Sequence, residues 1–184
     1  MADVQEPQQT LVKHAIRWAL ICAATSIVLT ILLYAIDYTL MVQLKFALIF
    51  LLIYLGITIY GGIDYRKSVG GFLSYGKAFQ HGFFLLAISG LIATIFSLVF
   101  YHVIDIELPQ KLTDAAVDNT RAMMESFGAP EDKMDEALEK ARVDTAARFT
   151  VIGQLKGYIW IVVVSAVMAL ITSLFVRKNQ PVEM

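Results

Sequence analysis

Cysteine is nearly absent from this chain, and charge is absent from long stretches of it. One residue of the 184 is a cysteine, Cys22. A single thiol makes no disulfide within a chain and no multi-cysteine metal site. Charged residues amount to 17% and hydrophobic residues to 58%, against about 25% and about 45–50% in an ordinary soluble domain. The mean hydropathy is +0.65. The formal net charge of −1 conceals a partition, because ionisable residues collect between apolar runs that hold almost none.

Catalytic signatures are missing as well. No Gly-Lys-Ser/Thr occurs, since Gly76-Lys77 is followed by Ala78, so a phosphate-cradling nucleotide loop is disfavoured. Neither a GxSxG nor an HExxH pattern is present, and no paired carboxylates fall within an apolar run. Asp37, Asp64, Arg17 and Lys45 all lie near the ends of such runs, where long side chains reach the interface. Ion- and proton-coupled transporters usually place ionisable groups mid-membrane, so this pattern speaks against that class. The expectation is a non-enzymatic protein with no cofactor, no metal site and no nucleic-acid partner.

What the chain does contain is four long apolar runs, centred on Trp18–Ile36, Phe46–Ile59, Phe83–Ile104 and Tyr158–Val176. About 20 apolar residues span a hydrocarbon core. The runs lack the alternation of a barrel strand, and a helix satisfies its own backbone in lipid. The expected fold is all-α, an integral membrane four-helix bundle in a single domain, with spans at about 15–36, 44–62, 79–104 and 157–176. Lys13 and Arg17 precede the first run, but that run is long for a signal core and no small-x-small cleavage site precedes Asp37, so it reads as an uncleaved helix.

Basic residues orient the spans. With the N-terminus inside, the cytoplasmic pieces carry Lys13, Arg17, Arg66, Lys67, Lys77, Arg177 and Lys178, and the short outer loop around Asp37–Leu44 carries none. Both termini are then cytoplasmic, in the membrane of a bacterium, and residues 105–156 lie on the outer, periplasmic side.

That outer segment holds eleven acids and seven bases. Leu108, Leu112, Ala116, Asn119, Met123 and Phe127 form one stripe at helical spacing, and Met134, Leu138, Ala141, Thr145, Phe149 and Ile152 form another. Between them, Gly128 suits a left-handed helix end, Pro130 a first helical turn, and Glu131 and Asp132 the positive end of a helix dipole. The expectation is an extramembrane helical hairpin between the third and fourth spans. Its stripes either cover each other or stay partly open for a protein partner or a second copy. Gly153 and Gly157, near the membrane surface, fit either small-residue helix packing or a plain bend.

The densest unusual chemistry lies in residues 61–82, rich in glycine and carrying Tyr65, Phe72, Tyr75 and Phe79 among Arg66, Lys67 and Lys77. Aromatics of this kind anchor at a membrane interface, and Ser74 suits a helix cap. Arg66, Lys67 and Lys77 are candidate contacts for an anionic lipid headgroup or phosphate; a positive-inside anchor with a flexible turn accounts for the same residues. The histidines, His14, His81 and His102, lie near span ends, and His81 and His102 are about 31 Å apart along one helix. His102 and Asp105 are spaced to face each other across one turn and to share a hydrogen bond. The polar and small residues within the spans are Thr25, Ser26 and Thr30, then Ser89, Gly90, Thr94 and Ser97, then Ser165, Thr172 and Ser173, a pattern that brings helices close together.

The order Tyr65-Arg66-Lys67, then Gly70-Gly71-Phe72-Leu73-Ser74-Tyr75-Gly76-Lys77-Ala78-Phe79 and Gly82, resembles the central signature of the bacterial membrane-protein family called domain of unknown function 4199. A first span led by Trp18, the segment Met124-Glu125-Ser126-Phe127-Gly128 and the ending Leu174-Phe175-Val176-Arg177-Lys178 agree with it. The resemblance implies a four-span membrane protein. It carries over no catalytic residues and no assigned activity.

Overall fold

The computed structural model describes residues 10–180, without the side chain of Asp132. The expected place of both chain ends and the first-turn charge of Asp132 lie outside the described residues. The described chain forms six α-helices: α1 Leu11–Asp37, α2 Leu44–Ser68, α3 Tyr75–Val99, α4 Leu108–Ser126, α5 Glu131–Phe149 and α6 Val151–Val176. A 3-10 turn, Tyr38–Val42, follows α1, and a π-helical turn, Phe100–Ile104, ends α3.

Four helical stretches are long and apolar enough to cross a membrane: Leu11–Val42, Leu44–Ser68, Tyr75–Ile104 and Val151–Val176. Each runs beyond its apolar run, because the helix continues into the flanking polar residues. Between 17% and 28% of the residues in their most apolar windows are buried. The rest of that surface, including Leu52, Trp160 and Phe175, is exposed. Exposing apolar area to water costs about 25 cal/mol per Å². The same area suits a lipid bilayer, where it costs nothing.

The chain divides into two compact units, the first comprising the chain up to Thr25, Leu51–Ile92 and the chain from Trp160 onward, the second Ser26–Phe50 and Ala93–Ile159. In the first, segments of α1, α2, α3 and α6 pack around Cys22, Leu85, Leu86 and Met168, with Trp18, Tyr54, Leu55 and Ile57 against them. Small residues set the helix approach. A Cβ on Gly61 would lie 2.9 Å from the Trp18 ring, and one on Gly62 would lie 2.7 Å from a Val176 methyl. Thr58 donates to the Tyr54 carbonyl at 2.7 Å, and Thr172 and Ser173 both donate to the Ala169 carbonyl. These hydroxyls satisfy themselves on their own helices, leaving small side chains for close contact.

In the second unit, Phe100, Leu108 and Leu112 form the core, with Tyr34, Phe96, Tyr101 and Phe149 packed against it. The expected His102–Asp105 bond is replaced. The Asp105 carboxylate accepts from the Tyr34 hydroxyl at 2.9 Å and from the backbone N–H groups of Glu107 and Leu108 at 3.1 and 3.0 Å. The π turn re-aims Asp105, since its N–H donates to the Phe100 carbonyl five residues back.

α4 ends where glycine predicts. Gly128 has φ +67°, its N–H donates to Glu125, and the Ala129 N–H donates to Met124, the two bonds of a Schellman end. Pro130 sits one place earlier than expected: it is the N-cap of α5, extended at ψ 145°, and its carbonyl accepts the Met134 N–H. Asp114 and Arg142 pair across α4 and α5 at 2.7 Å. α5 and α6 are separate helices, broken at Thr150 (ψ 155°). The Thr150 hydroxyl accepts from the Gly153 N–H at 3.0 Å and caps α6. At Gly153 a Cβ would overlap the Ala147 carbonyl, so this glycine serves the bend.

Candidate functional site

The glycine-rich segment 61–82 is built into the first unit as an ordered turn rather than a slack loop. α2 ends at Ser68 with Gly70 and Gly71 at φ +92° and +85°, and the Gly71 N–H returns to the Arg66 carbonyl at 2.9 Å. The chain then pairs once with the stretch after α6: Leu73 and Lys178 exchange both backbone hydrogen bonds at 2.9 Å. The Tyr75 hydroxyl donates to the Leu170 carbonyl at 3.0 Å, and the Lys178 ammonium lies 5.5 Å from the centre of the Phe72 ring.

The three basic candidates have separate surroundings. Arg66 donates to the Val176 carbonyl at 2.8 Å, closing one of the unpaired carbonyls at the end of α6. Lys67 is exposed. Lys77 lines a cavity of about 450 Å³ together with Tyr65, Phe72, Ser74, Lys178 and Asn179. Lys178 is thus the cation that shares the cavity with Lys77, a pairing 101 residues of sequence separation conceals.

Beside this turn lies a cluster that no local motif announces. His14 of α1, Asp64 of α2 and His81 of α3 meet within the first unit. His14 Nδ1 and His81 Nε2 are 2.9 Å apart, and His14 Nε2 is 3.2 Å from an Asp64 carboxylate oxygen. The Trp18 indole N–H donates to that same oxygen at 3.1 Å. Both histidines are buried, His81 completely, whereas the Asp64 side chain is 45% exposed. The Tyr65 ring stacks on His81 with centroids 5.0 Å apart and planes 9° apart. Tyr65 also lines the cavity that holds Lys77 and Lys178. The three groups run end to end rather than around one point, and among the described residues no group of three or more His, Cys, Asp or Glu is placed to hold a metal. The available signal in the sequence was positional: the four-span reading puts His14, Asp64 and His81 at corresponding ends of their spans.

In the second unit two partly buried groups have shifted acidities. The hydrogen bond from Tyr34, ahead of the Lys111 charge and the Glu107 and Leu108 amides, holds the Asp105 carboxyl below its ordinary value. The hydrogen bond to Glu107, at 3.1 Å, holds the Lys111 ammonium above its ordinary value. His102 lines a shallow hollow with Tyr101, Ile106, Pro109 and Phe149.

No curated protein matches this chain, and no solved structure does. A family model matches residues 17–178, nearly the whole of it, including the Gly70–Lys77 turn, Asp64 and His81. The chain therefore belongs to the family described as protein of unknown function DUF4199.

Proposed function

We propose that this chain is a non-enzymatic, multi-pass protein of the bacterial inner membrane with a structural or interaction role at the cell envelope. In this reading both termini are cytoplasmic, and residues 105–156 form a helical hairpin on the periplasmic side that docks a protein partner or a second copy. The observation that carries it is apolar surface on α4 and α5, outside the candidate spans, where lipid does not account for it. Met123 is 56% exposed, Phe127 83% and Val143 57%. Leu108 and Leu112, at the other end of the stripe that holds Met123 and Phe127, are buried. A stripe half covered and half open suits association better than self-packing.

The test is affinity purification in mild detergent of the wild type and of a Met123→Glu, Phe127→Glu variant. Both changes are at exposed positions, where a glutamate side chain has room. The proposal expects a co-purifying protein, or a dimer, that the variant loses. Identical associations in both proteins, or none in either, overturn it.

A second reading, a small transport or channel component with an anionic-lipid or solute site, draws on the cavity lined by Lys77 and Lys178. Liposome flux measured with Arg66, Lys67 and Lys77 neutralised tests it; unchanged flux counts against it.

A further inference from the structure

His81 carries the one histidine nitrogen among the described residues that is buried with no hydrogen-bond partner, its Nδ1. The hydrogen-bond chain leading away from that ring fixes where its protons sit. Indole N–H is a donor only, so the Asp64 oxygen that takes the Trp18 bond acts as an acceptor. His14 Nε2 faces the same oxygen, so in the neutral state it carries the proton and donates. His14 Nδ1 is then a bare acceptor, and His81 Nε2 must be the donor across the 2.9 Å contact. A neutral imidazole has one N–H, so His81 Nδ1 is a bare lone pair. Buried polar atoms without a partner are uncommon and call for an account.

We propose that Asp64, His14 and His81 form a relay for a single proton, linking solvent at Asp64 to the buried Nδ1 of His81. When hydronium or another O–H acid reaches His81 Nδ1, its O–H bond breaks as the new N–H forms, and the Nε2 proton passes to His14 Nδ1. His14 passes its own Nε2 proton to Asp64, and the half-exposed carboxyl gives it to water. One proton enters and one leaves, and no charge stays behind. From the state so formed the chain runs in reverse: Asp64 takes a proton from water and gives it to His14 Nε2, the His14 Nδ1 proton returns to His81 Nε2, and His81 Nδ1 gives its proton back to the conjugate base of the acid that supplied it.

Both rings end with the proton on the opposite nitrogen. Resetting the chain for a second proton in the same direction would require both rings to turn over. His81 is held flat against Tyr65, and His14 lies 5.1 Å from both rings. The device is therefore a reversible shuttle or store for one proton rather than a continuous wire.

The surroundings suit a pair that shares one charge. Asp64 of α2 is the anion whose field reaches both rings, and Arg17 of α1 is the cation whose field reaches His14. On α3 Lys77, one turn before His81, is exposed and lines the cavity. From α6 come the neutral residues Ala169 and Thr172, beside Gly82.

The experiment is side-chain ¹⁵N NMR of the full chain, labelled at histidine and held in lipid nanodiscs, across a pH titration. The expected result at alkaline pH is a proton on Nε2 of both rings. On acidification His14 and His81 are expected to move at one shared midpoint, taking up one proton between them. Asp64→Asn is expected to weaken that uptake about tenfold or more, since an opposite charge at this range favours the protonated ring. Trp18→Phe, which leaves the carboxylate in place, is expected to keep the shared midpoint. A proton on His14 Nδ1 in the neutral state, separate midpoints with one proton each, a His81 that never titrates with His14, or an Asp64→Asn variant indistinguishable from wild type overturns the relay. The tautomer and the proton count come from the wild type alone, so they decide even where Asp64→Asn does not fold.

Discussion

Asp105 accepts hydrogen bonds from a phenol and two backbone amides, and that crowd of donors sets its pH behaviour. Its carboxyl lies below the ordinary 3.8 in the folded chain, with the Tyr34 bond the largest cause. A depressed carboxyl contributes stability that is fully present above its unfolded value and is lost as pH falls through its folded value. Acidification below about pH 4 is therefore expected to loosen the second unit. Tyr34→Phe should shrink that acid-induced change, as followed by amide hydrogen exchange of α4. Steric demands are equally local. Gly62→Ala drives a methyl into Val176, and overpacking of this kind costs about 1–3 kcal/mol. Gly56 has open space around it, so Gly56→Ala is expected to be neutral or slightly stabilising. Thermal unfolding of the two variants in one detergent measures the contrast. Neither the Gly62–Val176 contact nor the Asp64–His14–His81 chain was legible in the sequence. His14 is 50 residues from Asp64 and Asp64 is 17 from His81, and periodicity speaks only of neighbours on one helix.

Elements were far more legible than contacts. All four apolar runs became helices, and the amphipathic stripes became α4 and α5 except at their ends, where Phe127 is the C-cap of α4 and Ile152 falls in α6, because helical periodicity and glycine or proline punctuation act within a few residues of one another. The Gly128 end is the sharpest instance: an L-residue in that left-handed conformation is strained by about 1–2 kcal/mol. Gly128→Ala should lower the stability of the α4–α5 pair by roughly that amount, read from the denaturant midpoint of hydrogen exchange in both helices. The break between α5 and α6 was harder to see. Gly153 and Gly157 read equally as a packing motif or as a bend, and the decision came from the Thr150 cap and the Ala147 carbonyl lying where a Gly153 side chain would stand. His102 and Asp105 illustrate the opposite failure. Their spacing fits one helical turn, but the π turn at Phe100–Ile104 replaces that turn and hands Asp105 to Tyr34.

On the scale of the whole molecule, the proposed orientation rests on the distribution of Lys and Arg near span ends. The proposed topology expects a Glu131→Cys label, on a Cys22→Ala background, to react with an impermeant maleimide in intact cells whose outer membrane has been made permeable. Labelling that appears only after lysis reverses the orientation. The sequence by itself determined the four apolar helices long enough to cross a membrane, the Gly128 helix end and the family, because hydrophobic run length, glycine punctuation and motif order are properties of the unfolded string. Only the tertiary structure decided that Arg66 closes the end of α6 while Lys77 shares a cavity with Lys178, and that two histidines and an aspartate from three helices join in one hydrogen-bonded chain. The reason is physical. A hydrogen bond between helices requires about 3 Å and a defined angle, and that geometry depends on how small residues such as Gly61, Gly62 and Gly82 let neighbouring helices approach.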